Sequence, residues 1–236
     1  MRGRQWWIRK LFQGEDPLKG IHGEPLPGYA YMWGGDLAVF AALIEEEKPE
    51  LVVEVGTWLG ASAVTMGSRM IRLGIDGVVV CVDTFLGDPE WREWKEERAA
   101  PWKMDAFKSL NLVNGFPNMY ETFLKGIIAS GLEKRIVPFP ATSIQAYFFM
   151  KREGIVPDLI YIDGDHSERQ VYEDVETYYS LLGGGGLIFG DDFNDPRWEG
   201  VTIAVTRFAR ENGLKVELSV DEVRNKKRFW KIRKPL

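Results

Sequence analysis

Hydrophobic positions in this chain fall in short unbroken runs separated by longer stretches of mixed character. Leu51-Val52-Val53-Glu54-Val55, Val78-Val79-Val80-Cys81-Val82, Ile136-Val137-Pro138-Phe139, Leu159-Ile160-Tyr161-Ile162 and Leu187-Ile188-Phe189-Gly190 are such runs. Their length and continuity predict strands covered on both faces, as in a parallel sheet. Between them the apolar spacing widens to a helical period. Helices are expected over Asp36–Glu47, from about Gly60 to Leu73, then over Tyr120–Gly131, Ile144–Glu153, Glu168–Leu182 and Gly200–Asn212. Leu214–Val220 and Arg228–Ile232 close the chain as two further strands, read as an antiparallel hairpin. Strand–helix repeats followed by a hairpin give an α/β fold: a doubly wound, mostly parallel sheet of seven strands with one reversed strand.

Two segments break the rhythm. Residues 1–35 lack clear periodicity and are expected to form an N-terminal arm before the main domain, 36–236. Trp6-Trp7-Ile8-Arg9-Lys10-Leu11-Phe12 reads as a docking segment, with a membrane-surface anchor as the less favoured alternative. The stretch from about 86 to 118 carries Trp91, Trp94 and Trp102 among charges and is too polar for a core helix. A lid over the strand ends is the preferred reading, a protein contact the other.

Composition narrows the class. The 236 residues carry a net charge of -5 and 45% hydrophobic residues, enough for a sizeable core and without the basic balance of a nucleic-acid binder. The single cysteine, Cys81, excludes a disulfide framework and reads as a small buried residue. No signal peptide or run long enough for a bilayer is evident, so a soluble, cytoplasmic protein without membrane contact is expected. The basic residues from Arg224 to Lys234 read as a solvated edge strand.

Chemistry concentrates at strand ends, where open α/β sheets bind their ligands. The fourth strand runs into Asp163-Gly164-Asp165-His166, and the fifth ends in Gly190-Asp191-Asp192. The first strand runs through Gly56-Thr57-Trp58-Leu59-Gly60-Ala61-Ser62 into a helix, a spacing that differs from the pyrophosphate fingerprint. Free N–H groups at such a helix start favour an electronegative group. Asp83 ends the second strand, placed to accept hydrogen bonds from ribose hydroxyls; a cap or turn role shared with Thr84 is the plainer reading. His166 is one of only two histidines. It is read as a general base beside a divalent cation, or as part of a plain N-cap in Asp165-His166-Ser167.

Taken together, Val53–Gly60, Val82-Asp83-Thr84, Ala141-Thr142-Ser143, Tyr161–His166 and Gly190-Asp191-Asp192 resemble class I S-adenosylmethionine-dependent methyltransferases of Rossmann-like fold. The likeness spans roughly residues 35–220 and is greatest to the metal-dependent small-molecule and sugar O-methyltransferases. It implies that Gly56, Thr57, Gly60 and Ser62, with Ala61 beside them, line the methionine end of the cofactor, and that Glu54 supports the loop. Asp83 and Thr84 then sit at the ribose and Ser143 at the adenine edge. Asp163, Asp191 and Asp192 match the positions that hold magnesium or manganese, Asp163 also flanking the cofactor, and His166 matches a base. Asp192 stands where catechol-type relatives have an amide, a departure toward the sugar-modifying pattern. The implied acceptor is a glycan or other polyhydroxylated small molecule, with no nucleic-acid partner and homo-oligomerisation left open. A phenol or amine acceptor, and a non-catalytic cofactor-binding module, are the alternatives.

Overall fold

The computed structural model describes residues 2–31, 38–88, 106–221 and 226–236. Its elements are α1 Arg4–Phe12, α2 Ala38–Glu47, β1 Leu51–Val55, α3 Ala61–Leu73, β2 Val78–Asp83, α4 Ala106–Ser109, α5 Met119–Ala129, β3 Ile136–Pro140, α6 Ser143–Arg152, β4 Leu159–Ile162, α7 Glu168–Leu181, β5 Leu187–Gly190, α8 Glu199–Glu211, β6 Glu217–Asp221 and β7 Lys226–Arg233. The seven strands form one sheet in the order β3-β2-β1-β4-β5-β7-β6, parallel except that β7 runs antiparallel to both β5 and β6. The chain winds outward from β1 to β3, then crosses back to β4 on the other side of β1. That reversal leaves a crevice beyond the carboxyl ends of β1 and β4.

Alternate residues of each strand supply opposite cores. Val53, Val55, Val80, Val82, Ile160 and Ile162 pack with α6, α7 and α8, and with Trp7 of α1. Val52, Val79, Cys81, Leu159 and Tyr161 face α2, α3 and α5. This two-sided burial is why the strands read as continuous apolar runs. At the amino end of the sheet, Asp158 Oδ2 accepts from the backbone N–H groups of Glu50 and Leu51, each at 2.9 Å. One carboxylate thereby pins the starts of β4 and β1 together and fixes how far each tip projects.

The N-terminal arm contains a helix. Trp7 is fully buried, against Phe139 and Phe149, while Arg4 forms a bidentate pair with Asp16 at 2.7 Å and reaches the Ile136 carbonyl. This helix docks on β3. The basic C-terminal strand is not on the edge: β7 lies between β5 and β6, and the edge strand is β6. The pattern of charges suggested the edge, but Phe229 and Trp230, consecutive and both 1% exposed, demand cover on both faces. Among the described residues, no helix is long and apolar enough to cross a membrane.

The middle of the expected lid, with Trp91, Trp94 and Trp102, lies outside the described residues. Its far end is tied to the β1 loop, where the Trp58 indole donates to Ser109 Oγ at 3.2 Å.

Candidate active site

The loop after β1 is built around a buried carboxylate. Glu54 is fully buried, and its two oxygens accept hydrogen bonds from the hydroxyls of Thr57 and Ser62. Burial raises its pKa from 4.5 to about 7, with Ser62, Thr57 and Cys81 working against the rise. Gly56 and Gly60 have φ of 84° and 87°, and the space left by their missing side chains holds protein. A Cβ on Gly56 would collide with the Asp163 carbonyl, and one on Gly60 would sit 2.6 Å from the Phe123 ring. These glycines therefore serve chain-to-chain packing, which sets the path of the loop.

At the tip of β2, Asp83 accepts from the N–H of Trp58 through Oδ2 at 2.8 Å and from that of Phe85 through Oδ1 at 2.7 Å. Burial raises its pKa, while backbone amides of Phe85, Trp58, Thr57 and Thr84 oppose the rise. The turn-forming reading of Asp83 thus holds, and it coexists with a place on the cavity wall.

The β4 and β5 tips lie side by side because their strands pair in register, Ile162 opposite Gly190. Asp163 Oδ2 accepts from the Tyr161 hydroxyl at 2.7 Å. Asp192, at φ 60°, turns so that its own N–H donates to Asp191 Oδ1 at 2.7 Å. His166 Nε2 lies 3.1 Å from Asp192 Oδ2, and its ring stacks on Trp198 with centroids 4.2 Å apart. The cap of α7 is Ser167, which accepts from the Gln170 N–H, so His166 is not the capping side chain. Burial, then the charges of Asp191 and Asp192, push the Asp163 carboxyl well above its ordinary range, against His166 and Tyr161. For His166, burial lowers the pKa, but the Asp192 hydrogen bond and the charges of Asp163, Asp192 and Asp165 outweigh it, and the net shift is upward.

Ligand atoms of Asp163, His166 and Asp192 lie within 4.8 Å of one another. Asp191 stands outside that group, its Oδ1 turned to the Asp192 backbone. Hard carboxylate oxygens with one imidazole suit a divalent cation, and the repulsion on Asp163 is of the kind such a cation relieves.

A cavity of about 440 Å³ joins these pieces. It extends from Asp163, Asp192 and His166 past Gly56 and Thr57 to Asp83, Thr84, Thr142 and Ser143. All of the residues singled out from sequence line it except Glu54 and Gly60, which brace the loop from behind. Gln170, Asp174, Arg197 and Trp198 also line it and were not anticipated. For Asp174 a signal existed: Val171, Asp174, Val175 and Tyr178 follow the spacing of a buried helical stripe. No comparable signal marks Trp198, whose position depends on how α8 begins. The volume and the mixture of carboxylates with apolar surface suit a nucleoside-containing small molecule.

Comparison with known proteins agrees with this geometry. A family model described as a methyltransferase domain matches residues 53–193. Similar solved structures include an O-methyltransferase from Bacillus cereus in complex with S-adenosylhomocysteine, 15% identical with TM-score 0.55, covering 98% of this chain and 96% of that one. The O-methyltransferase TomG from Streptomyces achromogenes, bound to S-adenosylmethionine, is 13% identical with TM-score 0.56, again covering 98% and 96%. CalS11, described as a TDP-rhamnose 3'-O-methyltransferase of calicheamicin biosynthesis, is 15% identical with TM-score 0.56, covering 96% and 92%. An uncharacterised protein of Acanthamoeba polyphaga mimivirus is 44% identical over 41 residues, a match spanning 17% of this chain and 19% of that protein. With the matched segment running from β1 to just past the β5 tip, and with the strand order and cavity described above, the chain belongs to the methyltransferase-domain family, the S-adenosylmethionine-dependent methyltransferases of class I fold.

Proposed function

We propose that this protein is an O-methyltransferase that methylates a hydroxyl of a sugar or other polyhydroxylated small molecule, with magnesium or manganese at the β4 and β5 tips. The observation that carries the reading is the convergence of Asp163, Asp192 and His166 on one wall of the cavity. A neighbouring structure described as a sugar O-methyltransferase supports the choice of acceptor, as does a wall rich in carboxylates.

When bound, S-adenosylmethionine supplies a methyl group on a positively charged sulfur. The chain's own residues do the rest. Asp83 and Ser143 would hold the nucleoside end, and the loop from Gly56 to Ser62 would shape the methionine end. Asp163 and Asp192, assisted by Asp191, would hold the cation, whose chemistry there would be to lower the pKa of an acceptor hydroxyl and to orient it. In the tautomer that donates from Nε2 to the Asp192 carboxylate the ring is held in place, and Nδ1 would be the nitrogen that takes the hydroxyl proton. Stacking on Trp198 holds the same ring in plane.

The test is incubation with methyl-labelled S-adenosylmethionine and a panel of sugars, sugar nucleotides, catechols and amines, with and without EDTA. Label transfer to a sugar hydroxyl, abolished by EDTA and restored by magnesium or manganese, is expected. Transfer only to amines or catechols refutes the acceptor class, and full activity after exhaustive chelation refutes the cation.

A further inference from the structure

Asp174 is a carboxylate on α7, only 4% exposed, and nothing in the methyl-transfer chemistry described above uses it. Its location follows from how α7 docks. One turn further along the helix, Tyr178 Oη donates to the Ser143 carbonyl at 2.8 Å, which seats α7 on the first turn of α6. One turn earlier, Gln170 Nε2 donates to Asp174 Oδ1 at 3.2 Å. Gln170, Asp174 and Ser143 all line the cavity, next to Thr142. The β2–β3 register places Asp83 opposite Pro140, three residues before Ser143, so the β2 tip and the α6 start share one corner.

A buried carboxylate has about four acceptor positions and is costly to leave under-supplied with donors. Interactions with Ser143 and Gln170 do not repay the burial of Asp174: its pKa is raised to about 6, burial being the largest cause. A further donor from the cavity side would repay it. With Asp83 on the ribose, the group entering this corner is the base, and the N–H donor at the edge of adenine is its exocyclic amine.

We propose that Asp174, through Oδ2, accepts a hydrogen bond from the exocyclic amine of the cofactor's adenine and so selects adenosyl over other nucleosyl cofactors, with Gln170 orienting the carboxylate. The assignment rests on the S-adenosylmethionine reading of the cavity. It makes Asp174 the specificity residue for the base, a role distinct from that of Asp83, which senses only the sugar. An inosyl cofactor places a carbonyl where adenine has its amine, so it sets oxygen against carboxylate. Sites built on a buried polar contact reject such analogues far more strongly than apolar pockets do.

Titration calorimetry with S-adenosylhomocysteine and S-inosylhomocysteine tests this. The wild type is expected to bind the adenosyl compound at least about 10²-fold more tightly. In Asp174→Asn the side-chain amide can turn a donor toward the inosyl carbonyl, and the ratio is expected to fall to within about 10-fold. Equal binding of the two compounds by the wild type overturns the assignment, and that measurement decides alone should Asp174→Asn fail to fold. An unchanged ratio in a folded Asp174→Asn variant also overturns it. Absence of binding by either compound overturns the cofactor reading itself, a result distinguishable from loss of discrimination.

Discussion

Glu54→Gln separates the electrostatic cost of the loop from its geometry. The substitution keeps the size of the side chain and an oxygen for one of the two hydroxyls, while its amide can donate to the other. It removes the charge. In the folded protein the Glu54 carboxyl titrates at about 7, against 4.5 when unburied. The native state therefore holds the proton more tightly than the unfolded chain does, and stability must fall as pH rises between those two values. Below about pH 4.5 both states are protonated and the group contributes nothing; above about pH 7 the full cost of the buried anion, about 3 kcal/mol, is present. Urea unfolding of wild type and Glu54→Gln, without ligand, at about pH 5 and pH 8 should show their difference moving by about 2–3 kcal/mol in favour of glutamine at the higher pH. A difference that stays constant with pH would refute the argument. It would mean that the Thr57 and Ser62 hydroxyls compensate the buried anion completely.

The base and the helix cap are adjacent but separable. His166→Ala should lower turnover by about 10²–10⁴-fold with little change in melting temperature. Ser167→Ala should cost about 1 kcal/mol of stability and little rate; an exchange of these two phenotypes would return His166 to a structural role. Gly60→Ala should destabilise by about 2 kcal/mol, because φ of 87° and the Phe123 ring both oppose a side chain. Phe123→Leu should recover part of that loss in a double-mutant cycle read by urea midpoints, and strict additivity would show that the clash is relieved elsewhere.

The five parallel strands were legible because burial on both faces leaves no polar alternation to confuse the pattern. Their tips were legible for the same reason: Asp83, Asp163, Asp191 and Asp192 interrupt apolar runs abruptly. Other features depend on packing that local pattern carries weakly or not at all. Asp174 lies on a legible buried stripe with Val171, Val175 and Tyr178, but Glu173 and Glu176 beside it give the same run the look of a solvated face. The order of the terminal hairpin was hidden because β6 and β7 could exchange places without altering their spacing. The packing of Trp7 was hidden because Trp6 beside it, less buried and under Arg2 and Lys10, blurs the helical period. The glycine loop was recognised, but the reason for its glycines was not: Phe123 and Asp163 are distant in sequence from the residues they crowd.

That crowding has a thermodynamic side. At Gly56 no side chain separates the β1 loop from the backbone of Asp163 and Gly164. The wall that would face the sulfonium and the wall that would face the cation are therefore one surface. Any coupling between the two ends has to be reciprocal, since whatever the carboxylate end gains from an occupied loop, the loop gains equally from an occupied carboxylate end. A glycine that looks like a concession to a tight turn is thus the place where the two halves of the cavity meet backbone to backbone.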